Sequence, residues 1–190
     1  MESLLVSIGL VALAEIGDKT QLLSLALAAK YRRPLPIIAG IAVATLLNHA
    51  LAGALGTWLT GLFGDSLLQV LVGLSFLAMA GWLLVPDKPS ALEQPARFGV
   101  FLATTVAFFL VEMGDKTQIA TIALAARYDA FYQVVTGTTL GMLAANVPVV
   151  LLGERIVGRV PVRTVQRCTA ALFALLGAAV LYQAWSSARA

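Results

Sequence analysis

Two seven-residue strings hold almost all the ionisable chemistry found inside the apolar stretches of this chain. They are Glu15-Ile16-Gly17-Asp18-Lys19-Thr20-Gln21 and Glu112-Met113-Gly114-Asp115-Lys116-Thr117-Gln118. Their four carboxylates and two ammoniums sum to −2 when all are ionised, so one divalent cation or two protons would neutralise the set. Carboxylate ligands must be deprotonated before they bind metal, so a cation and protons compete for the same groups. Carboxylate and amide oxygens suit hard cations such as Mn²⁺, Ca²⁺ or Mg²⁺, whereas Zn²⁺ or Cu⁺ would need cysteines or several histidines. The chain has one cysteine and one histidine. Glu15, Asp18, Glu112 and Asp115 are therefore the expected metal ligands, in an oxygen site.

The element that must position these groups is read as a membrane helix. Glu15 lies eleven residues past Leu4 and Glu112 twelve past Val100. At 1.5 Å per residue both sit about 16–18 Å into a hydrocarbon core of about 30 Å, near the midplane. Six charges there cost on the order of 15–20 kcal/mol even on lenient insertion scales, too much for a role without function. In a continuous helix Glu15, Asp18 and Lys19 would share one face at i, i+3 and i+4, with Gln21 at its edge and Thr20 on the far side. A purely structural alternative pairs Glu15 with Lys19 and Glu112 with Lys116, and leaves Asp18 and Asp115 as surplus buried anions. Gly17 and Gly114 would let a neighbouring backbone approach, or let the helix open so that carbonyls become ligands; plain packing is the other reading. Asn48, His49 and Asn146 also fall inside apolar runs. Each is a ligand or a hydrogen bond between helices, with a proton relay as a further reading of His49.

The rest of the chain fits that setting. It has 190 residues, 59% hydrophobic and 12% charged, with a mean hydropathy of +0.89. Soluble domains carry about 45–50% apolar and about 25% charged residues, so a soluble fold is excluded. Apolar spans are expected at 4–29, 35–59, 67–84, 100–126, 131–152 and 165–183. Sliding the chain on itself by 97 residues superimposes the two strings and also Ala26–Tyr31 on Ala123–Tyr128, Gly40 on Gly137, Gly56 on Gly153 and Phe76 on Phe173. The expected fold is thus an all-α integral membrane protein of six transmembrane helices in two three-helix repeats, 1–88 and 98–190, joined by a linker at 89–97 and forming one transport domain. An odd number of spans per repeat makes the second enter from the opposite side, and inverted repeats meeting at a midplane site are a plan of secondary transporters. Loop charges set the sidedness: Lys30, Arg32, Arg33, Lys88, Arg97, Arg155, Arg159, Arg163 and Arg167 fall on one side, and only Arg127 and Arg189 on the other. Basic residues collect on the cytoplasmic side, so both termini are expected outside it.

Smaller features add little. The basic residues lie in short loops, so the net charge of +3 implies no nucleic-acid partner. Cys168 has no partner for a disulfide and is read as a small packing residue. Leu4–Ala14 resembles a signal-peptide core, but Glu2 stands where a basic segment is expected and the apolar pattern resumes to Ala29, so it is read as an uncleaved first helix. Gly137 and Gly141 form a packing face in GxxxG spacing. Asp65 and Glu154-Arg155 are expected in solvent.

The twice-repeated Glu-x-Gly-Asp-Lys-Thr resembles the signature of the Gdt-type family of cation/proton exchangers, and the similarity covers essentially the whole chain. The resemblance implies six helices, exchange of Mn²⁺ or Ca²⁺ for protons, no enzymatic activity and no cofactor beyond the transported ion. It also implies site roles for Glu15, Gly17, Asp18, Lys19 and Thr20, and for Glu112, Gly114, Asp115, Lys116 and Thr117, which leaves Gln21 and Gln118 as further supporting groups. A multi-pass protein of a bacterial inner membrane is expected, its partners being a divalent ion, protons and the lipid bilayer. The rival classes are a divalent-cation channel and an intramembrane enzyme using paired carboxylates as acid and base. Near-identical sites argue against the enzyme, because an acid and a base need environments that separate their pKa values. Reporter domains fused after Ala190 should be active only as a non-cytoplasmic reporter; activity only as a cytoplasmic one overturns the sidedness.

Overall fold

The computed structural model describes residues 1–85, 99–153, 161–187 and 189. The linker at 89–97 and the sidedness markers Lys88, Arg97, Arg155 and Arg159 lie outside these residues, as do Glu154 and Ala190. Among the described residues the chain is entirely helical, with α1 Glu2–Glu15, α2 Lys19–Tyr31, α3 Pro34–Leu62, α4 Asp65–Trp82, α5 Gly99–Glu112, α6 Lys116–Tyr128, α7 Phe131–Leu152 and α8 Val162–Ser187. Four of these, α3, α4, α7 and α8, are each long and apolar enough to cross a membrane.

The expected spans at 4–29 and 100–126 are not continuous helices. Each is cut in two at the charged string, α1 from α2 at residues 16–18 and α5 from α6 at 113–115. The cause is the glycine: Gly17 has φ +80° and Gly114 φ +76°, a left-handed conformation in which no α-helix continues. Asp18 and Asp115 then take extended backbone and start the next helix. Gln21 and Gln118, three residues further on, reach back to accept the glycine N–H at 2.8 and 2.6 Å, so each break satisfies a donor that the helix start leaves free. The face expected for Glu15, Asp18 and Lys19 on one helix therefore does not exist.

The helix starts repeat at the 97-residue spacing, Glu2 with Gly99, Lys19 with Lys116, Pro34 with Phe131 and Asp65 with Val162. Even the left-handed helix ends recur, at Arg32 (φ 52°) and Asp129 (φ 45°). Packing follows the same exchange: α1 lies along α7 as α5 lies along α3, while α3 meets α7 and α4 meets α8. Small residues permit these approaches. A Cβ on Gly137 or Gly141 would stand 2.7 Å from the Leu4 or Ile8 carbonyl of α1, and one on Gly40 would stand 2.8 Å from the Phe101 carbonyl of α5. The GxxxG reading of α7 is thereby explained as its seat for α1. Phe76 and Phe173 meet edge to face between α4 and α8, with ring centroids 5.9 Å apart.

Outward faces are apolar, with Leu47, Leu51, Trp58, Leu74, Leu110, Leu151 and Leu175 all exposed, as a lipid-facing surface requires. Cys168 is exposed on α8, which corrects its reading as a packing residue. Asp65 is exposed in the first turn of α4.

Replacing either glycine by alanine forces an L residue into the left-handed region, at a cost of about 1–2 kcal/mol. At Gly17 the new Cβ would also fall 2.0 Å from Val162 Cγ1, whereas Gly114 has nothing within 4 Å. Thermal unfolding in detergent should therefore show both variants destabilised and Gly17→Ala more so than Gly114→Ala; equal melting temperatures would contradict the crowding at Gly17.

Candidate metal centre

The two breaks bring the charged strings face to face. Lys19 Nζ lies 3.1 Å from Asp115 Oδ1, and Lys116 Nζ lies 3.1 Å from Asp18 Oδ1. Each lysine thus pairs with the aspartate of the other half, which overturns the alternative pairing of Glu15 with Lys19 and Glu112 with Lys116 and the surplus status of the aspartates. Thr20 donates its hydroxyl to Glu15, and Thr117 does the same for Glu112. The break rotates α2 relative to α1, so Thr20 faces the site and not its far side.

With the lysines engaged by aspartates, the formal charge of −2 of the fully ionised set falls on the two glutamates. Glu15 is fully buried and Glu112 is 1% exposed. One ligand oxygen from each of Glu15, Glu112 and Asp115 falls within 4.8 Å of the others, a spacing that one cation could bridge. Among the described residues, no donor reaches Glu15 Oε1, Glu112 Oε2 or Asp115 Oδ2. Three buried carboxylates brought this close, each with an oxygen that no donor reaches among the described residues, repel one another when ionised until a cation or protons join them. Asp18, the fourth expected ligand, lies outside that cluster on the arm of Lys116.

The remaining candidates divide. Asn146 is tied between helices: Ser24 donates to its Oδ1 at 2.7 Å, and its Nδ2 donates to the Met142 carbonyl at 3.1 Å. The helix-packing reading holds for it. Gln21, besides closing the first break, donates to the Ala145 carbonyl at 2.9 Å and fastens α2 to α7. Asn48 donates to the Phe109 carbonyl of α5 at 3.0 Å, one turn before Glu112, while its Oδ1 and both nitrogens of His49 meet no partner among the described residues. Thr45, one turn before His49 on the same face, is likewise buried with an unpartnered hydroxyl, and its i, i+4 spacing was the signal for it.

The surroundings of the two strings differ. Lys19 keeps 20% of its side chain exposed and Lys116 only 4%. Gly17 is covered by Val162 of α8, whereas Gly114 is exposed. A cavity of about 310 Å³ reaches Asp18, bordered by Gly17, Gln21, Ala145, Pro148 and Val162. Pro148 has no N–H and cannot donate to the carbonyl four residues earlier, that of Ala144, which lies on the same border.

Comparison with known proteins places this geometry. The family profile described as "Divalent cation/proton antiporter GDT1" matches the chain twice, at residues 3–91 and 100–188. The chain is 52% identical to a Vibrio cholerae protein named "Putative manganese exporter", over 96% of this chain and 92% of that one. It is 29% identical to a GDT1-like protein of Synechocystis over 87% of this chain and 90% of the relative, and 23% identical to the divalent cation/proton antiporter GDT1 of Saccharomyces cerevisiae over 98% and 86%. No solved structure matches the chain. The family is one of membrane transporters and not an enzyme class, and the chain belongs to it: it is a member of the GDT1 family of divalent cation/proton antiporters.

Proposed function

We propose that this protein exports Mn²⁺ from the bacterial cytoplasm in exchange for protons, through one centre shared by its two halves, with Ca²⁺ as a second cargo. The observation that carries this reading is the convergence of Glu15, Glu112 and Asp115, drawn from both strings, which with Lys19 on Asp115 leaves −2 when all are ionised, the charge that one divalent ion neutralises. Asp18 completes the set as a fourth ligand reached by exchange with Lys116, and Lys19 and Lys116 tune the carboxylates without binding metal. Thr20 and Thr117 hold the glutamates; Gln21 and Gln118 hold the breaks. Hard oxygen donors fit Mn²⁺ and Ca²⁺. The name of the Vibrio relative favours Mn²⁺. A proton gradient directed inward drives the cation outward.

The centre requires six crossings in two inverted repeats, 1–88 and 98–190 about a linker at 89–97. Several features support that arrangement. α1 and α2 do not pack side by side, and neither do α5 and α6, as befits two halves of one interrupted crossing and not a hairpin. Tyr128 donates to Glu2, and Arg127 to Gln183, so the start of α1 and the ends of α6 and α8 share one end of the bundle. Asp65 joins them, lining a cavity with Arg127 and Asp129. Interrupted helices also turn the carbonyl ends of α1 and α5 toward the centre, where free carbonyls favour a cation.

Groups acting on one ion are strongly non-additive. Glu15→Gln or Glu112→Gln alone should abolish Mn²⁺ uptake into proteoliposomes with an imposed pH gradient, and the double change should add almost nothing. Single variants that each kept about half the wild-type rate at unchanged affinity would make the halves independent. Protons and metal share the carboxylates, so Mn²⁺ affinity should fall as pH is lowered. Calorimetric titrations giving one affinity from mildly acid to alkaline pH would remove the exchange mechanism.

A further inference from the structure

We infer that Thr45, Asn48 and His49 on α3 form a second cation station beside the carboxylate centre, in which His49 supplies the nitrogen donor that selects a transition-metal ion over Ca²⁺. The inference rests on the proposed Mn²⁺ exchange and adds a site that the carboxylates do not account for. Thr45 is 1% exposed, and Asn48 and His49 are fully buried. At i, i+3 and i+4 they share one face near the middle of the 29-residue α3. Four of their polar atoms, Thr45 Oγ1, Asn48 Oδ1 and both ring nitrogens of His49, meet no partner among the described residues. Leaving that many polar atoms bare in an apolar interior is costly, so the face is built for something that enters it.

The chemistry of the atoms says what enters. A hydroxyl, an amide carbonyl oxygen and the bare nitrogen of a neutral imidazole all offer lone pairs, and none carries charge. Such a set holds a cation in transit without trapping it, and an imidazole prefers first-row transition metals to Ca²⁺ or Mg²⁺. Position ties the station to the centre: the Asn48 amide is anchored on the Phe109 carbonyl, one turn before Glu112. The second half has no equivalent. The matching residues on α7 are Met142, Ala145 and Asn146, and Asn146 is already bonded to Ser24 and to the Met142 carbonyl. The amide on α7 is thus spent on α2 and on its own helix, where α3 leaves lone pairs open.

His49→Asn places on α3 the residue that α7 carries at the matching position. In proteoliposomes offered both ions, this variant should lower the Mn²⁺-to-Ca²⁺ ratio of kcat/KM about tenfold, the scale on which metal sites respond to loss of one supporting group. A ratio that stays at the wild-type value, or parallel loss of both ions, overturns the selective role. A second measurement needs no variant to fold. His49 is the sole histidine, so protein labelled with ¹⁵N-histidine and carrying no histidine tag gives an unambiguous signal. Pulsed EPR at saturating Mn²⁺ should show coupling to a bound imidazole nitrogen. Bound Mn²⁺ without that coupling means that water alone fills the station and overturns the inference while leaving the exchange intact; wild-type protein that binds no Mn²⁺ overturns both.

Discussion

The crossed ion pairs, Lys19 with Asp115 and Lys116 with Asp18, are the constraint on which the rest of the centre depends. A buried ammonium or carboxylate alone in an apolar interior is prohibitively costly, and removing one partner of such a pair typically costs about 3–5 kcal/mol. Neither half can satisfy its own string, because its lysine and aspartate are used by the other. Folding of each half around its charges therefore presupposes the other half in place. The pairs also decide where the formal charge of the fully ionised set lies: with the lysines and aspartates engaged, it is left on Glu15 and Glu112, each of which accepts from a threonine hydroxyl.

That arrangement is possible only because the helices break. In a continuous helix the aspartate would point along the same stripe as the glutamate. The left-handed glycine turns the chain so that the glutamate ends one helix while the aspartate begins the next. Asp18 stands at the position where an aspartate ordinarily caps its own helix, yet its side chain makes no such bond. The lysine of the other half takes that carboxylate, and Gln21 performs the capping through the Gly17 N–H. One helix-start motif is thereby divided between local structure and the contact between halves.

Much of this was legible in the sequence and part was not. The repeat, the buried charges and the all-helical class follow from rare residues recurring at one spacing, which a Leu/Ala-rich composition does not generate. Opening at Gly17 and Gly114 was one of two readings of those glycines and was not carried into the spans, because apolar periodicity runs through them, and periodicity is blind to the sign of φ. A local signal did exist: Asp18 followed three residues later by Gln21, and Asp115 by Gln118, is the capping pattern of a helix start, directly after a glycine. Weighing that pattern against the apolar run would have split both spans and moved Thr20 and Thr117 onto the site. The crossed pairing was beyond reach by any such route, since two strings that carry the same charged residues in the same order give no indication of which lysine serves which aspartate.

Strings that differ only at Ile16 and Met113 nevertheless stand in unequal surroundings, and the inequality follows the parts of each half that diverged. Val162 covers Gly17, whereas its counterpart on α4 is Asp65, which leaves Gly114 open. α6 packs on α4, and no comparable seat holds α2 against α8. Lys19 accordingly retains solvent exposure that Lys116 has lost. A centre made from two matched strings can be held with equal bonds while either half is the better covered, because the ion pairs are the same by exchange of halves. The covering residues are not the same by exchange: Val162 lies on Gly17, whereas nothing comes within 4 Å of the place a Cβ would take on Gly114. The strings thus repeat the charge at the middle, and the residues around the two glycines are where the halves differ in cover.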